Sequence, residues 1–219
     1  MRRAGRTRPP PIVDPFPPSP KRPILPQPPL VLASSSPRRH DLLRQIGVEP
    51  DRVVEPEIDE SPVEGELPHR HAERLAGEKV LAVAARLDLP AYVLAADTVV
   101  ACGRRILPKA MDRETAARCL ALLSGRRHRV HGGIAVRTPE GRLVTRLVTT
   151  QVRFKRLAAR ETAAYLASGE WQGKAGGYAI QGRAAAFIPW INGSWANVVG
   201  LPLVETLGLL EGLGWQVPA

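Results

Sequence analysis

The chain has 219 residues, 44% of them hydrophobic and 5% aromatic, with 31 Lys and Arg against 21 Asp and Glu and a formal charge of +10. That length accommodates one α/β domain with a substantial core. No apolar run reaches the ~18 residues a membrane helix needs, and Cys102 and Cys119 form neither a metal-ligand spacing nor a disulfide framework, so a reduced cytoplasm is the expected setting.

Residues 1–29 hold eleven of the 22 prolines and a net charge of +5, from Arg2, Arg3, Arg6, Arg8, Lys21 and Arg22 against Asp14. Proline fixes φ and removes a donor, so this segment is expected to be an extended or disordered tail. Its basic start runs into prolines rather than an apolar stretch and does not read as a secretory signal. A role in solubility or weak anion attraction is the plain reading, and a Pro-rich ligand for a partner domain is the alternative. With half of the charge surplus on this tail, the remaining 190 residues carry too diffuse a surplus to require a nucleic-acid-reading surface.

The domain is expected over 30–219. Leu30–Ala33 reads as a buried strand. Ser36 is placed to cap a helix with Pro37 at its first position, Leu42, Leu43 and Ile46 inward, and Gly47 as its stop. Val53 and Val54 mark a second strand before the acidic turn Glu55 to Glu60. A long helix follows from Pro68 to Leu87, and Tyr92 to Val100 is the next strand, ending in a Cys102-Gly103-Arg104 turn. Asp112 caps a helix with Ala116, Leu120 and Leu123 inward. Arg129–Arg137 and Leu143–Phe154 form a predicted hairpin about Thr138–Gly141. Glu161 to Ala167 is helical, Phe187–Ile191 a short strand, and the last helix begins at Pro202 and ends near Gly212 or Gly214. The order predicts a mixed α/β sheet with flanking helices.

Five features are wrong for a plain core. Ser34-Ser35-Ser36-Pro37-Arg38-Arg39 sits where a strand hands over to a helix, where free N–H groups, hydroxyls and guanidinium forks suit an anion. The alternative is a capped helix with two solvated arginines. Lys79 shares the apolar stripe of its helix with Ala72, Leu75, Ala76, Ala82 and Val83, which places it at a cleft edge or makes it snorkel. Asp97 interrupts an apolar strand, a position that costs desolvation unless a cation or hydrogen bonds balance it. Glu57, Asp59 and Glu60 form an acidic turn that could help hold a hard cation or simply be solvated. Finally, Gly173 to Gly182 combines glycines with Lys174 and Gln181. It is not a P-loop, because the lysine precedes the glycines and no Ser or Thr follows it.

Together the stretches LASSSPRR (Leu32–Arg39), ERLAGEKV (Glu73–Val80), AADTVV (Ala95–Val100), GKAGGYAIQG (Gly173–Gly182) and INGSWANVVGLPL (Ile191–Leu203) resemble the Maf family of nucleotide pyrophosphatases, over residues 30–215. The resemblance implies a mixed α/β fold of the Maf/inosine-triphosphatase-like kind, with two lobes around a nucleotide cleft. It also implies metal-dependent hydrolysis between the α- and β-phosphates, with Mg²⁺ or Mn²⁺ as the cation. By matching position, Asp97 is the proton acceptor, Ser36 and Arg38 handle phosphate at the start of the first helix, and Glu60, Lys79 and Lys109 are polar positions lining the cleft. In the mechanism expected from these, Lys79, Lys109 and the Lys174 of the glycine-rich segment also hold phosphate, and Glu60 and Asp97 hold the cation. Arg39, Thr98 and Gln181 match positions linked to base choice, and all three fit the branch that prefers dTTP and UTP, or modified pyrimidine nucleotides. The alternatives are a purine or 7-methyl-GTP pyrophosphatase and a non-catalytic nucleotide- or nucleic-acid-binding regulator. A homodimer is implied, with no membrane attachment and no stable nucleic-acid complex. The chain departs from the family pattern at Pro108, Ala110 and Gly132, where glycine, proline and threonine are usual.

Overall fold

The computed structural model describes residues 27–217; the Pro-rich segment lies outside them apart from its last three positions. Those three already belong to the fold. The Gln27 side-chain amide donates to the Gln216 carbonyl at 2.8 Å, and Pro29 accepts from the Tyr92 N–H at 2.9 Å.

Nine strands and six helices follow in the order β1 (Leu30–Ala33), α1 (Pro37–Gln45), β2 (Arg52–Val54), α2 (Pro68–Ala84), β3 (Tyr92–Cys102), β4 (Arg105–Leu107), β5 (Lys109–Ala110), α3 (Arg113–Leu123), β6 (Arg127–Arg137), β7 (Leu143–Arg153), α4 (Ala159–Ser168), β8 (Lys174–Ala175), β9 (Trp190–Asn192), α5 (Trp195–Val199) and α6 (Leu203–Gly212). A 3₁₀ turn over Arg183–Phe187 precedes β9, so Phe187 ends a helical turn rather than opening the expected strand. β4, β5, β8 and α5 were not anticipated. The predicted Pro68 helix stops at Ala84 rather than Leu87.

The main sheet has seven strands in the order β2-β1-β3-β6-β7-β9, with β4 hairpinned onto β3. β1 runs parallel to β2 and β3, and the pairs from β3 outward to β9 are antiparallel. The mixed sheet is therefore as expected. Alternation along the strands splits the core between the two faces. Leu30, Leu32 and Leu94 point to the larger layer with α1, α3, α4 and α6 residues such as Leu42, Leu43, Leu120, Tyr165 and Leu210. Val31, Ala33, Val93 and Ala95 meet the Ala76, Val80 and Val83 stripe of α2 on the opposite face.

This topology prepares a binding crevice. From β1 the chain crosses one way to β2 and then back over the sheet to β3, so the order reverses between β1 and β3. Ligands collect at such a reversal, beyond the carboxyl ends of the strands. β1 ends at Ala33, paired with Ala95, while β3 continues past it through Asp97 and Thr98. Two polar side chains are thereby left facing the gap at the start of α1.

Candidate active site

A cleft of about 610 Å³ opens there, lined among others by Ser34, Ser36, Arg38, Arg39, Glu60, Lys79, Asp97, Thr98, Lys109, Lys174 and Gln181. Every residue singled out from the sequence as a site residue lines this one space. The Ser-Pro-Arg-Arg corner, the β3 carboxylate and the glycine-rich loop meet there from three distant parts of the chain.

The centre is ionic. Lys79 leaves the apolar stripe of α2 and is 3% exposed, as Asp97 is at 4%. Its Nζ donates to Asp97 Oδ1 at 2.6 Å and lies 2.6 Å from Glu60 Oε1. Lys109 Nζ pairs with the other oxygen of Glu60. Burial alone would push the Glu60 carboxyl up, but hydrogen bonds from Lys109 and Lys79, together with their charges, outweigh it and hold it down at about 2. Both buried charges are thus paired, as a low-dielectric interior demands.

Close packing of α2 on the sheet makes this pairing reachable. Gly133 lies opposite Asp97 on β6, and a Cβ there would come within 2.1 Å of the Ala72 carbonyl oxygen. Only glycine lets the helix backbone approach at this point. Gly132, where the family pattern usually has threonine, has a second role: a Cβ there would lie 1.9 Å from Asn197 Oδ1. The vacant position admits the Asn197 side chain, whose Nδ2 donates to the Val130 carbonyl at 3.2 Å and to Thr150 Oγ1 at 3.0 Å. Asn197 is fully buried and moors α5 to the sheet.

The end of α5 in turn positions Arg39. Its Nε donates to the Gly200 carbonyl at 2.9 Å, one terminal nitrogen to Ser34 Oγ at 3.0 Å and the other to Thr98 Oγ1 at 3.3 Å. Burial lowers the affinity of this guanidinium for its proton, and the Asp97 charge opposes that. Arg39 and Thr98 therefore brace each other and the corner around them. Ser36 occupies the N-cap of α1 with extended backbone, yet its hydroxyl makes no capping bond. Instead its N–H donates to Ser34 Oγ at 3.1 Å. The expected serine cap is absent, and the hydroxyl faces the cleft without a helix partner. Arg38 is half-buried beside it, its proton affinity lowered by burial.

The opposite wall is a small ribbon. β5 and β8 pair so that Lys109 faces Ala175 and Ala110 faces Lys174, bringing both lysines to the cleft. Ala110, where proline is usual, is buried and accepts from the Gly173 N–H at 2.9 Å. Burial, then the Arg38 charge, lowers the proton affinity of Lys174. Gly176 adopts φ +69° and a Cβ on it would stand 2.8 Å from the Val100 side chain, so the ribbon presses directly onto β3. Beyond it, Tyr178 hydrogen-bonds His128 Nε2 at 2.8 Å and the Ala179 N–H donates to the Tyr165 hydroxyl at 3.0 Å. These bonds pin the loop that carries Gln181, whose side chain is exposed at the cleft mouth.

Among the described residues no three His, Cys, Asp or Glu side chains converge as a ready-made metal cage. Glu60 and Asp97 nevertheless converge on the single point that the Lys79 ammonium fills. Two carboxylates beside a polyphosphate form an oxygen donor set suited to Mg²⁺ or Mn²⁺, so the residues fit such a cation. Sequence reasoning gave no role to Asn197 or Gly200, although both stand in the INGSWANVVGLPL stretch, and read Ser34 as an anion-binding hydroxyl rather than as a partner of Arg39 and the Ser36 N–H. Their function is to place other side chains, which leaves no mark on local chemistry.

The model of the Maf-like protein family matches residues 29–213. A dTTP/UTP pyrophosphatase of Rhodospirillum rubrum is 63% identical over 188 residues, covering 86% of this chain and 89% of that one. Another of Paramagnetospirillum magneticum is 63% identical over 186 residues, covering 85% and 97%. A Mycobacterium abscessus nucleoside-triphosphatase, dITP/XTP pyrophosphatase, overlays more loosely, with 24% identity and a TM-score of 0.39 over 59% of this chain and 74% of that one. On the family match, which spans almost all of the described residues, and on relatives of this identity, the chain belongs to the Maf family.

Proposed function

We propose that the chain hydrolyses dTTP and UTP, or modified pyrimidine nucleotides, to the monophosphate and pyrophosphate, in the cytoplasm and with a divalent cation. The pyrophosphatase activity draws support from the relatives named above. The observation that carries the chemistry is the buried Asp97–Lys79 pair at 2.6 Å, set in a cleft rimmed by Ser36, Arg38, Lys109 and Lys174. A triphosphate brings several negative charges, and this rim is the part of the cleft able to receive them. Simple anion binding would not need a carboxylate buried among the cations.

The Ser36 hydroxyl, the α1 N-terminus and the Arg38 guanidinium would take phosphate oxygens, with Lys109 and Lys174 closing from the ribbon. Asp97, once its lysine turns towards phosphate, accepts the proton of a water attacking the α-phosphorus in line, and pyrophosphate leaves. Glu60 and Asp97 would hold the Mg²⁺ or Mn²⁺, which would supply positive charge to the phosphate oxygens. Most of the acceleration comes from positioning and preorganised charge. Gln181 offers an amide donor and acceptor to the edge of a uracil or thymine ring. Arg39, with Gly200, Ser34 and Thr98 as partners, contributes to base choice by shaping the corner.

Pyrophosphate release from dTTP, UTP, GTP, ITP and 7-methyl-GTP with Mg²⁺ tests the reading. dTTP and UTP are expected to lead, and Asp97→Asn to stay folded with turnover reduced at least ~10²-fold. A purine nucleotide at the head of the series overturns the pyrimidine assignment. Near-normal turnover by the variant removes Asp97 from its role, and no release from any nucleotide favours a binding protein.

A further inference from the structure

Four side chains alternate in charge across the cleft floor: Lys109, Glu60, Lys79, Asp97. Both lysines that a triphosphate would need are engaged with carboxylates. The two carboxylates, in turn, point at one position, and an ammonium fills it, 2.6 Å from each. The Lys79 side chain is 3% exposed and that of Asp97 6%, so water does little to screen this pair, while Glu60 at 34% and Lys109 at 51% stand nearer to solvent.

We propose that Lys79 is the resting occupant of the cation position, and that a divalent cation enters only together with the triphosphate. This rests on the hydrolytic reading above. A cation arriving alone would meet a buried ammonium at contact distance, where like-charge repulsion is weakly screened. Nor could Lys79 withdraw, because an ammonium leaving its carboxylates inside the fold would be buried without a partner. Triphosphate removes both obstacles. Its oxygens give Lys79 and Lys109 new partners within the same cleft, and the released carboxylates then face each other with an unbalanced negative charge. Two ammoniums and two carboxylates make the resting set neutral, which is why a cation arriving alone gains little by entering. Meanwhile Lys79 keeps Glu60 and Asp97 convergent, so the oxygen pair is preformed when the nucleotide arrives.

Mn²⁺ serves as the probe, titrated calorimetrically into nucleotide-free protein. The wild type is expected to bind it weakly, and Lys79→Met, which keeps the side-chain volume and removes the charge, at least tenfold more tightly. Mn²⁺ should also raise the melting temperature of the Met variant and leave that of the nucleotide-free wild type unchanged. Adding Glu60→Gln to Lys79→Met should abolish the gain. A tight Mn²⁺ site in the nucleotide-free wild type overturns the proposal, as does a folded Met variant that binds no more tightly. If that variant does not fold, wild-type melting decides alone. Mn²⁺ and α,β-methylene-UTP, which resists cleavage, should stabilise together by more than the sum of their separate effects; a merely additive shift overturns the proposal. Absence of pyrophosphate release from UTP and dTTP would defeat the hydrolytic reading without touching these titrations. Normal turnover beside tight Mn²⁺ binding by the resting protein would defeat only the role given to Lys79.

Discussion

His128 is a buried base that the fold keeps neutral. Its ring is 2% exposed, packed edge-on against Phe154 and Tyr178, with Nδ1 unpartnered among the described residues. Burial pushes it down to about 4, and His131 is likewise held at about 4 by burial with the His69 and Arg129 charges. A folded-state value below the ordinary ~6.5 means that the unfolded chain binds the extra proton first. The stability tied to each histidine is therefore intact above pH 6.5 and is lost as pH falls from 6.5 towards 4, by about 3 kcal/mol for His128. Urea midpoints measured from pH 7 to pH 4.5 should fall steeply, and His128→Gln should flatten that slope while also loosening the Tyr178 loop. An unchanged slope would mean that His128 does not carry the titration. At this same scale the sequence marked Asp97, since a charge inside an apolar pattern has to be balanced somewhere, and left Lys79 open between a cleft edge and snorkelling until its 2.6 Å contact with Asp97 decided it. Arg39 was legible as important but not in its manner of acting, because its partner on α5 comes from the far end of the chain.

Among the elements, α2 and β6 illustrate how packing sets the site. The helix rests on a strand whose Gly133 has no side chain, and Lys79 lies two turns along from that contact. Gly133→Ala would force the Ala72 backbone to move, since a Cβ cannot sit 2.1 Å from a carbonyl oxygen. Overpacking of this kind typically costs about 1–3 kcal/mol. A lower urea midpoint together with reduced pyrophosphate release is the expected outcome, and a variant with wild-type values for both would show that the contact is slack. Long elements were readable from periodicity and caps. Asp112 accepts from the Thr115 N–H at 2.7 Å as the N-cap of α3, and the β6–β7 hairpin falls within two residues of expectation. The β5–β8 ribbon was not readable, for a physical reason. Each strand is two residues long, too short to show alternation, and each is extended only because the other lies beside it. That ribbon delivers Lys109, which the family resemblance found, and Lys174, which its glycine-rich setting marked; periodicity pointed to neither.

Over the whole molecule, charge is the property that acts at a distance. The chain carries +10 overall, and its cleft gathers several cations at one mouth. Such a field attracts a polyanion before contact and weakens as salt shortens its range from about 10 Å at 0.1 M. The KM for UTP is expected to rise roughly threefold between 50 and 300 mM NaCl with kcat changing less than twofold. A fall in kcat at constant KM would instead place the salt effect on the chemical step. The family resemblance drawn from sequence spans nearly the same residues as the family match, 29–213. What sequence order alone could not supply was the strand order with its reversal between β1 and β3, which depends on pairings between segments far apart in the chain.

The bond from Arg39 to the Gly200 carbonyl spans 161 positions. As the polypeptide emerges from the ribosome, the serine corner, Asp97 and even the glycine-rich loop are all made before the carbonyl that sets Arg39 in place. A nascent chain lacking α5 would hold the phosphate-handling side chains without the brace that orients them. Competence therefore arrives late in synthesis, with about the last tenth of the chain.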